Sequence, residues 1–214
     1  MTLQKQQPDK AVPANWDERY SQQEYYYGTA PNSFLVSVCD KIPARQILCL
    51  AEGEGRNAVF LASRGYQVTA VDGSSVGLRK AAQLAADQQV KITTVCADLA
   101  KFEIEPGQWD GIVSCYCHLP PAIRTPLHQK VVRGLRPGGV LVLEGFSKQQ
   151  LSYGTGGPPS FDLLFALEEL QVELAGLEFM HAVTTERDVR EGRGHSGIAS
   201  VVQILAVKPT YRDN

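Results

Sequence analysis

Residues 48–58, LCLAEGEGRNA, pass from an apolar run through two glycines into a segment of helix-forming character. An apolar run that breaks at glycine and resumes as a helix reads as the first strand–turn–helix unit of a doubly wound α/β sheet. Outward from it the pattern repeats. QILCLA (46–51) reads as the first strand, RNAVFLASRG (56–65) as a helix closed by Gly65, and QVTAVD (67–72) as a second strand ending on an acid. GSSVGLRKAAQLAADQQ (73–89) is a helix capped by Ser74 or Ser75, and KITTVCAD (91–98) a third strand, also ending on an acid. WDGIVSCY (109–116) is the fourth strand, residues 121–135 a helix, and GGVLVLEGF (138–146) the fifth strand after the turn LRPGG. Runs of Val, Ile and Leu separated by helices indicate a parallel sheet covered on both faces.

The flanks complete the expectation. Residues 1–14 are polar and punctuated by proline, which predicts a flexible N-terminus. Order is expected from WDERYSQQEYYYG onward, then a short helix in PNSFLVSVCDKI with Phe34, Leu35 and Val38 on one face. After the fifth strand, SYGTGGPPS leads into a helix over about 161–175. Two β-like runs follow, 177–189 and 198–207, joined by REGRGHSG as an antiparallel hairpin. The expected fold is a Rossmann-like, three-layer α/β sheet of seven strands, mostly parallel with an antiparallel C-terminal hairpin. It occupies a single domain over 15–208, with 209–214 as a tail and no length for a second domain.

A net charge of −2 with interspersed signs offers no basic stripe for nucleic acid, and no apolar run approaches the ~20 residues that span a bilayer. Five cysteines form an odd set. Cys49 and Cys96 lie in runs read as buried strands, and free buried thiols suit a reducing cytoplasm.

The opening stretch poses a question of charge. Gly53-x-Gly55-x-x-Ala58, with Asp72 at the end of the next strand, fits the fingerprint that seats a dinucleotide pyrophosphate on a helix N-terminus. Yet Glu52 and Glu54 flank the glycines, and each carboxylate would repel a pyrophosphate by roughly 1 to 4 kcal/mol. S-adenosylmethionine carries no phosphate and is cationic at sulfur, so it tolerates acids there. NAD-dependent oxidoreduction and a non-catalytic cofactor-binding module stand as the rival readings.

In order along the chain, ILCLAEGEGRN, VTAVDGSS, VCADL, WDGIVSCYCHLP and GLRPGGVLVLEGF resemble the class I S-adenosylmethionine-dependent methyltransferases. Among these they look like the small stand-alone bacterial enzymes related to the tellurite-resistance and thiopurine methyltransferases. The resemblance spans roughly residues 15–208 and implies S-adenosylhomocysteine as product. It implies that the loop Ala51, Glu52, Gly53, Gly55 and Arg56 passes the cofactor and that Asp72, with Gly73 and Ser74, takes the ribose hydroxyls. By the same resemblance Asp98 and Leu99 take the adenine, and backbone groups of Tyr116 and Cys117 hold the methionine ammonium. Ala51 departs from the family, which usually has a glycine there, and Cys49 stands where an acid is common.

Methyl transfer from a sulfonium is an in-line displacement for which positioning alone supplies much of the rate. His118, just past the fourth strand, is the candidate base, and Tyr27, in the run Tyr25-Tyr26-Tyr27, a candidate lid residue facing the sulfonium. Cys115-x-Cys117-His118 lacks a second ligand pair, so no metal is expected; strand alternation predicts both thiols on one face and Tyr116 on the other. The hairpin tip with Arg193 and His195 is read as turn chemistry, and Glu186–Arg187 as a surface pair. The acceptor is a small molecule that no residue singles out.

Overall fold

A computed structural model describes residues 15–43 and 45–210, so the expected flexible segment 1–14 and most of the tail 209–214 lie outside the described residues. Helices α1 (Trp16–Tyr20) and α2 (Ser33–Val38) precede the first strand, each entered through an asparagine: Asn15 and Asn32 accept from the N–H groups of Glu18 and Leu35. The alternating part then runs β1 (Gln46–Leu50), α3 (Arg56–Ser63), β2 (Gln67–Asp72), α4 (Ser75–Asp87), β3 (Thr93–Cys96), β4 (Trp109–Cys115), α5 (Pro121–Gly134) and β5 (Leu135–Phe146). Helix α6 (Leu167–Glu173) leads to the hairpin β6 (Glu178–Glu191) and β7 (His195–Val207).

The seven strands form one sheet in the order β3-β2-β1-β4-β5-β7-β6. The first five are parallel, while β7 runs antiparallel between β5 and β6. Strand order reverses between β1 and β4, and in such sheets the crevice at the carboxyl ends beside the reversal receives ligands. Alternation assigns the faces. Ile47 and Cys49 of β1 pack with α2, α3 and α4, while Leu48 and Leu50 pack with α5 and α6.

Four expectations on the frame need correction. Cys96 is exposed, because β3 is the sheet edge. The expected helix over 161–175 begins only at Leu167. Phe165 forms a strand-like bridge to Ser147, donating its N–H to the Phe146 carbonyl and burying its ring, and that bridge ends any helix upstream. LRPGG is not a turn before β5 but its first residues, accommodated by a register shift opposite Trp109 and by the left-handed Gly138. Most of REGRGHSG is paired strand, Arg190 with Ser196 and Glu191 with His195, leaving a turn of only Gly192–Gly194.

Helices α5 and α6 are clamped by Glu173, which accepts from Arg124, Thr125 and the His128 ring. Burial works against its ionisation, but the bonds from His128 and Arg124 prevail and hold the carboxyl at about 2. An acid depressed on folding stabilises above its unfolded value and loses that contribution as pH falls towards its folded one. Thermal unfolding from pH 6 to pH 3 should therefore show a falling midpoint in the wild type and a shallower fall in Glu173→Gln; parallel curves would count against the clamp.

Candidate active site

The glycine loop leaves β1 through three left-handed residues, Ala51 (φ 50°), Gly53 (φ 58°) and Gly55 (φ 90°). Ala51 holds a conformation that costs an L-residue roughly 1–2 kcal/mol and that glycine adopts freely. A Cβ at Gly53 would stand 2.6 Å from the Tyr20 hydroxyl, and one at Gly55 would stand 2.5 Å from Ala81 Cβ. Gly55 is thus required by the approach of α4 as much as by any ligand.

Both loop glutamates are buried and engaged. Glu52 Oε1 accepts from the N–H groups of Asn57 and Ala58 at 2.9 and 2.8 Å, filling the anion site at the start of α3 from within the chain. Burial lifts its carboxyl to about 7 against those bonds. Glu54 accepts from the Tyr26 N–H at 2.7 Å and pairs with Lys80, which also donates to the Gln22 and Glu24 carbonyls. The loop's negative charge therefore closes a helix end and fastens the tyrosine segment. Little of the helix N-terminus is left for a phosphate.

Asp72 ends β2 with its carboxylate turned back on the loop, accepting from Gly53 N–H at 2.8 Å and Ser74 N–H at 2.7 Å. Burial raises its carboxyl above the ordinary range. Ser74 caps α4 through the Gly77 N–H and donates to Asp17 of α1, so α1 lies across this end of the sheet with Tyr20 over Gly53. The Gly73 carbonyl receives the Cys96 thiol, Asp98 is exposed and accepts from the Ala100 N–H, and Leu99 is buried beside it. Asp72 and the Gly53 turn thus meet at the carboxyl ends of β1 and β2.

Beyond β4 the alternation fails. Tyr116 is left-handed (φ 56°) and packs with the α2–α3–α4 side, as Cys115 does, while Cys117 emerges into the opposite core. The two thiols thus lie on opposite faces, contrary to the reading from strand period, because a single αL residue rotates the chain. Burial pushes the Cys117 thiol up to about 12. Among the described residues no group of three or more His, Cys, Asp or Glu side chains could hold a metal ion.

His118 does not stand free. Its Nε2 accepts from the Phe146 N–H at 3.1 Å and Nδ1 donates to the Leu163 carbonyl at 2.9 Å, tying the end of β5 to the loop before α6. Burial lowers it to about 4. With its one lone pair already occupied, the ring has no site for an acceptor's proton.

A polar cluster that the sequence reading missed lies at the carboxyl ends of β4 and β5. Glu144, wholly buried in β5, accepts from Asn32 at 2.7 Å, Tyr116 at 3.1 Å, Gln203 at 2.6 Å and Arg187 at 3.1 Å. Arg187 also reaches Glu191 at 2.9 Å, so it is a half-buried member of this cluster and not half of a surface pair; Glu186 takes the Tyr153 hydroxyl instead. Arg56 donates to Glu191 at 2.7 Å and to the Ala30 carbonyl at 3.2 Å, which turns its guanidinium away from the loop. The signals existed: Glu144 is the lone charge in an apolar run, and Arg187, Val189 and Glu191 share one strand face.

The tyrosines and the hairpin tip close over this cluster. The Arg193 N–H donates to the Tyr26 carbonyl, a Cβ on Gly192 would come within 2.3 Å of that oxygen, and Tyr27 lies 4.6 Å from the His195 ring. Tyr25 packs along α4, its hydroxyl on the Lys80 carbonyl. The tip is a docked element, not a free turn.

The strand order and the glycine loop after β1 make a Rossmann-like fold that matches the fold of S-adenosylmethionine-dependent methyltransferases. The family described as "Methyltransferase domain" matches residues 47–139, the segment from β1 into β5. The carboxy-S-adenosyl-L-methionine synthase of Geobacter metallireducens is 31% identical over 122 residues, 53% of this chain and 48% of that protein. The 2-heptyl-1-hydroxyquinolin-4(1H)-one methyltransferase of Mycobacteroides abscessus is 26% identical over 109 residues, 50% of this chain and 48% of that protein. The match thus spans about half the length of each of these curated relatives. Among solved structures, TehB from Haemophilus influenzae superposes with a TM-score of 0.71 at 21% identity, covering 90% of this chain and 67% of that one. No helix among the described residues is long and apolar enough to cross a membrane.

Proposed function

We propose that the protein transfers the methyl group of S-adenosylmethionine to a small-molecule acceptor and releases S-adenosylhomocysteine. The observation that carries this reading is Glu52 closing the N-terminus of α3: the fingerprint of a dinucleotide site is present, but its phosphate seat is taken by a carboxylate. That favours a phosphate-free adenosine cofactor over NAD. When bound, the cofactor supplies an electrophilic methyl on a sulfonium.

The chain's own part is binding and alignment. Asp72 is assigned to the ribose hydroxyls, since a carboxylate accepts twice without donating. Gly73 and Ser74 shape that turn, Asp98 and the Leu99 N–H are assigned to adenine, and the backbone of Ala51, Glu52, Gly53 and Gly55 to the methionine portion. Tyr116 and Cys117 hold its ammonium by their backbone. Arg56 acts through Glu191 and not on the cofactor. Tyr20 over Gly53 and Tyr27 at the hairpin tip make the N-terminal segment a cover that lifts for exchange. A cytoplasmic enzyme acting on neither nucleic acid nor membrane fits the balanced charge and the free cysteines.

Calorimetry with S-adenosylhomocysteine and with NADH tests the reading. The first should bind and the second should not. Asp72→Asn replaces one acceptor by a donor and should weaken S-adenosylhomocysteine at least tenfold, the equivalent of losing a charged hydrogen bond of about 1.5–3 kcal/mol. Unaltered affinity in the variant removes Asp72 from the site, and NADH binding in place of S-adenosylhomocysteine selects an oxidoreductase.

A further inference from the structure

We propose that the solvent-facing side of the N-terminal segment carries a binding site for a small monocarboxylate on a flat, conjugated body, with Arg19 as the group that takes the carboxylate. The site shares no residue with those assigned to the cofactor, so the inference stands apart from the methyltransferase reading.

An open pocket of about 370 Å³ is lined by Asn15, Glu18, Arg19, Gln22 and Tyr26. That volume falls within the range of small-molecule pockets, roughly 300–1,000 Å³. Arg19 lies over the Trp16 ring at 4.7 Å and over the Tyr26 ring at 5.2 Å, and its Nη1 donates to the Tyr27 hydroxyl at 3.3 Å. The two rings and the tyrosine bond hold the guanidinium in place. Tyr20, next in the chain, is buried over Gly53, while Arg19 stays half-buried at the pocket.

What sets Arg19 apart is its charge. The other arginines that are partly or wholly buried, Arg56, Arg124, Arg136 and Arg187, each pair with a carboxylate. Among the described residues Arg19 makes no ion pair, and its hydrogen bond to Tyr27 engages Nη1 alone. Glu18, its neighbour in the chain, lines the same pocket without pairing to it. A guanidinium is a planar fork of N–H groups that matches a carboxylate in geometry and in charge. The Tyr26 ring in the pocket wall suits a flat body, and Asn15 and Gln22 add neutral amides. Glu18 sets the charge limit: its carboxylate opposes a second negative charge on the ligand and so restricts the site to monoanions.

The test is calorimetry on the full chain with three flat probes of similar size: cinnamate, its neutral amide, and the dicarboxylate terephthalate. Cinnamate should bind with a Kd at or below about 1 mM, and the other two at least about tenfold more weakly, a comparison that needs no variant to fold. The Arg19 Nε–H resonance should shift as cinnamate is added. Arg19→Met should weaken cinnamate at least about tenfold and bind acid and amide alike, whereas Arg19→Lys, which keeps the charge without the fork, should recover only part of the loss. Glu18→Gln should admit terephthalate. If Arg19 serves structure alone, Arg19→Met lowers the thermal midpoint and leaves cinnamate affinity unchanged, which overturns the proposal. No binding of cinnamate, equal binding of acid, amide and diacid by the wild type, an Arg19 resonance that does not move, or displacement of cinnamate by S-adenosylhomocysteine would overturn it too.

Discussion

Glu144→Ala should destabilise the protein by about 3–5 kcal/mol, the cost of stripping one member from a buried ion pair. Removal of the carboxylate takes the acceptor from the Gln203 amide and the Tyr116 hydroxyl, and leaves the Asn32 amide with Glu191 and Arg187 with Glu191 and the Tyr116 oxygen. Since the total stability of a domain is roughly 5–15 kcal/mol, such a loss brings a large part of the molecules near unfolding at physiological temperature. Urea denaturation measures it, and the double variant Glu144→Leu/Arg187→Met should recover much of the deficit because neither charge is then left alone. A single-variant loss below about 1 kcal/mol would mean that water replaces the missing carboxylate and that the cluster is not closed as described.

Gly55→Ala is expected to cost about 2–5 kcal/mol, combining a left-handed alanine with overpacking. At φ 90° the new methyl would stand 2.5 Å from Ala81 Cβ and 2.7 Å from Ala81 Cα, so α3 and α4 must separate. Ala81→Gly in the same chain removes the first of these contacts and not the second, which predicts partial rescue. Full rescue would show that packing alone makes Gly55 necessary; no rescue would place the whole cost in the backbone angle. Affinity for S-adenosylhomocysteine should fall with stability, because the same loop positions Gly53 against Asp72.

The difference between these two sites marks how far the primary structure could be read. Gly55 was legible because a tight strand-to-helix turn needs a residue without Cβ, and the spacing to Asp72 depends on nothing outside one βαβ unit. Asp72, Ser74 and Asp98 were found for the same reason: each belongs to a strand end or a cap defined by its immediate neighbours. Glu144, Arg187, Glu191 and His195 were passed over or read as surface and turn residues. Their roles need β5, β6, β7 and the start of α2 to meet, and sequence separations such as the 112 residues between Asn32 and Glu144 leave no local trace. His118 shows the converse error. Its place after β4 is visible in the sequence, but its exclusion as a base depends on the Phe146 N–H and the Leu163 carbonyl, which reach it from other elements.

By itself the sequence determined the alternation of strands and helices, the parallel sheet with its antiparallel hairpin, and the turn after β1 that Asp72 meets. These follow from side-chain period, turn stereochemistry and capping, all of which act over a few residues. Only the tertiary structure decided what the charges of the loop do, which face each thiol takes, and which partners occupy both ring nitrogens of His118. The physical reason is that a buried polar group is defined by its partner. A carboxylate or imidazole of unchanged identity is a helix cap, a clamp or a tie between elements according to the donor or acceptor that the fold brings within about 3 Å.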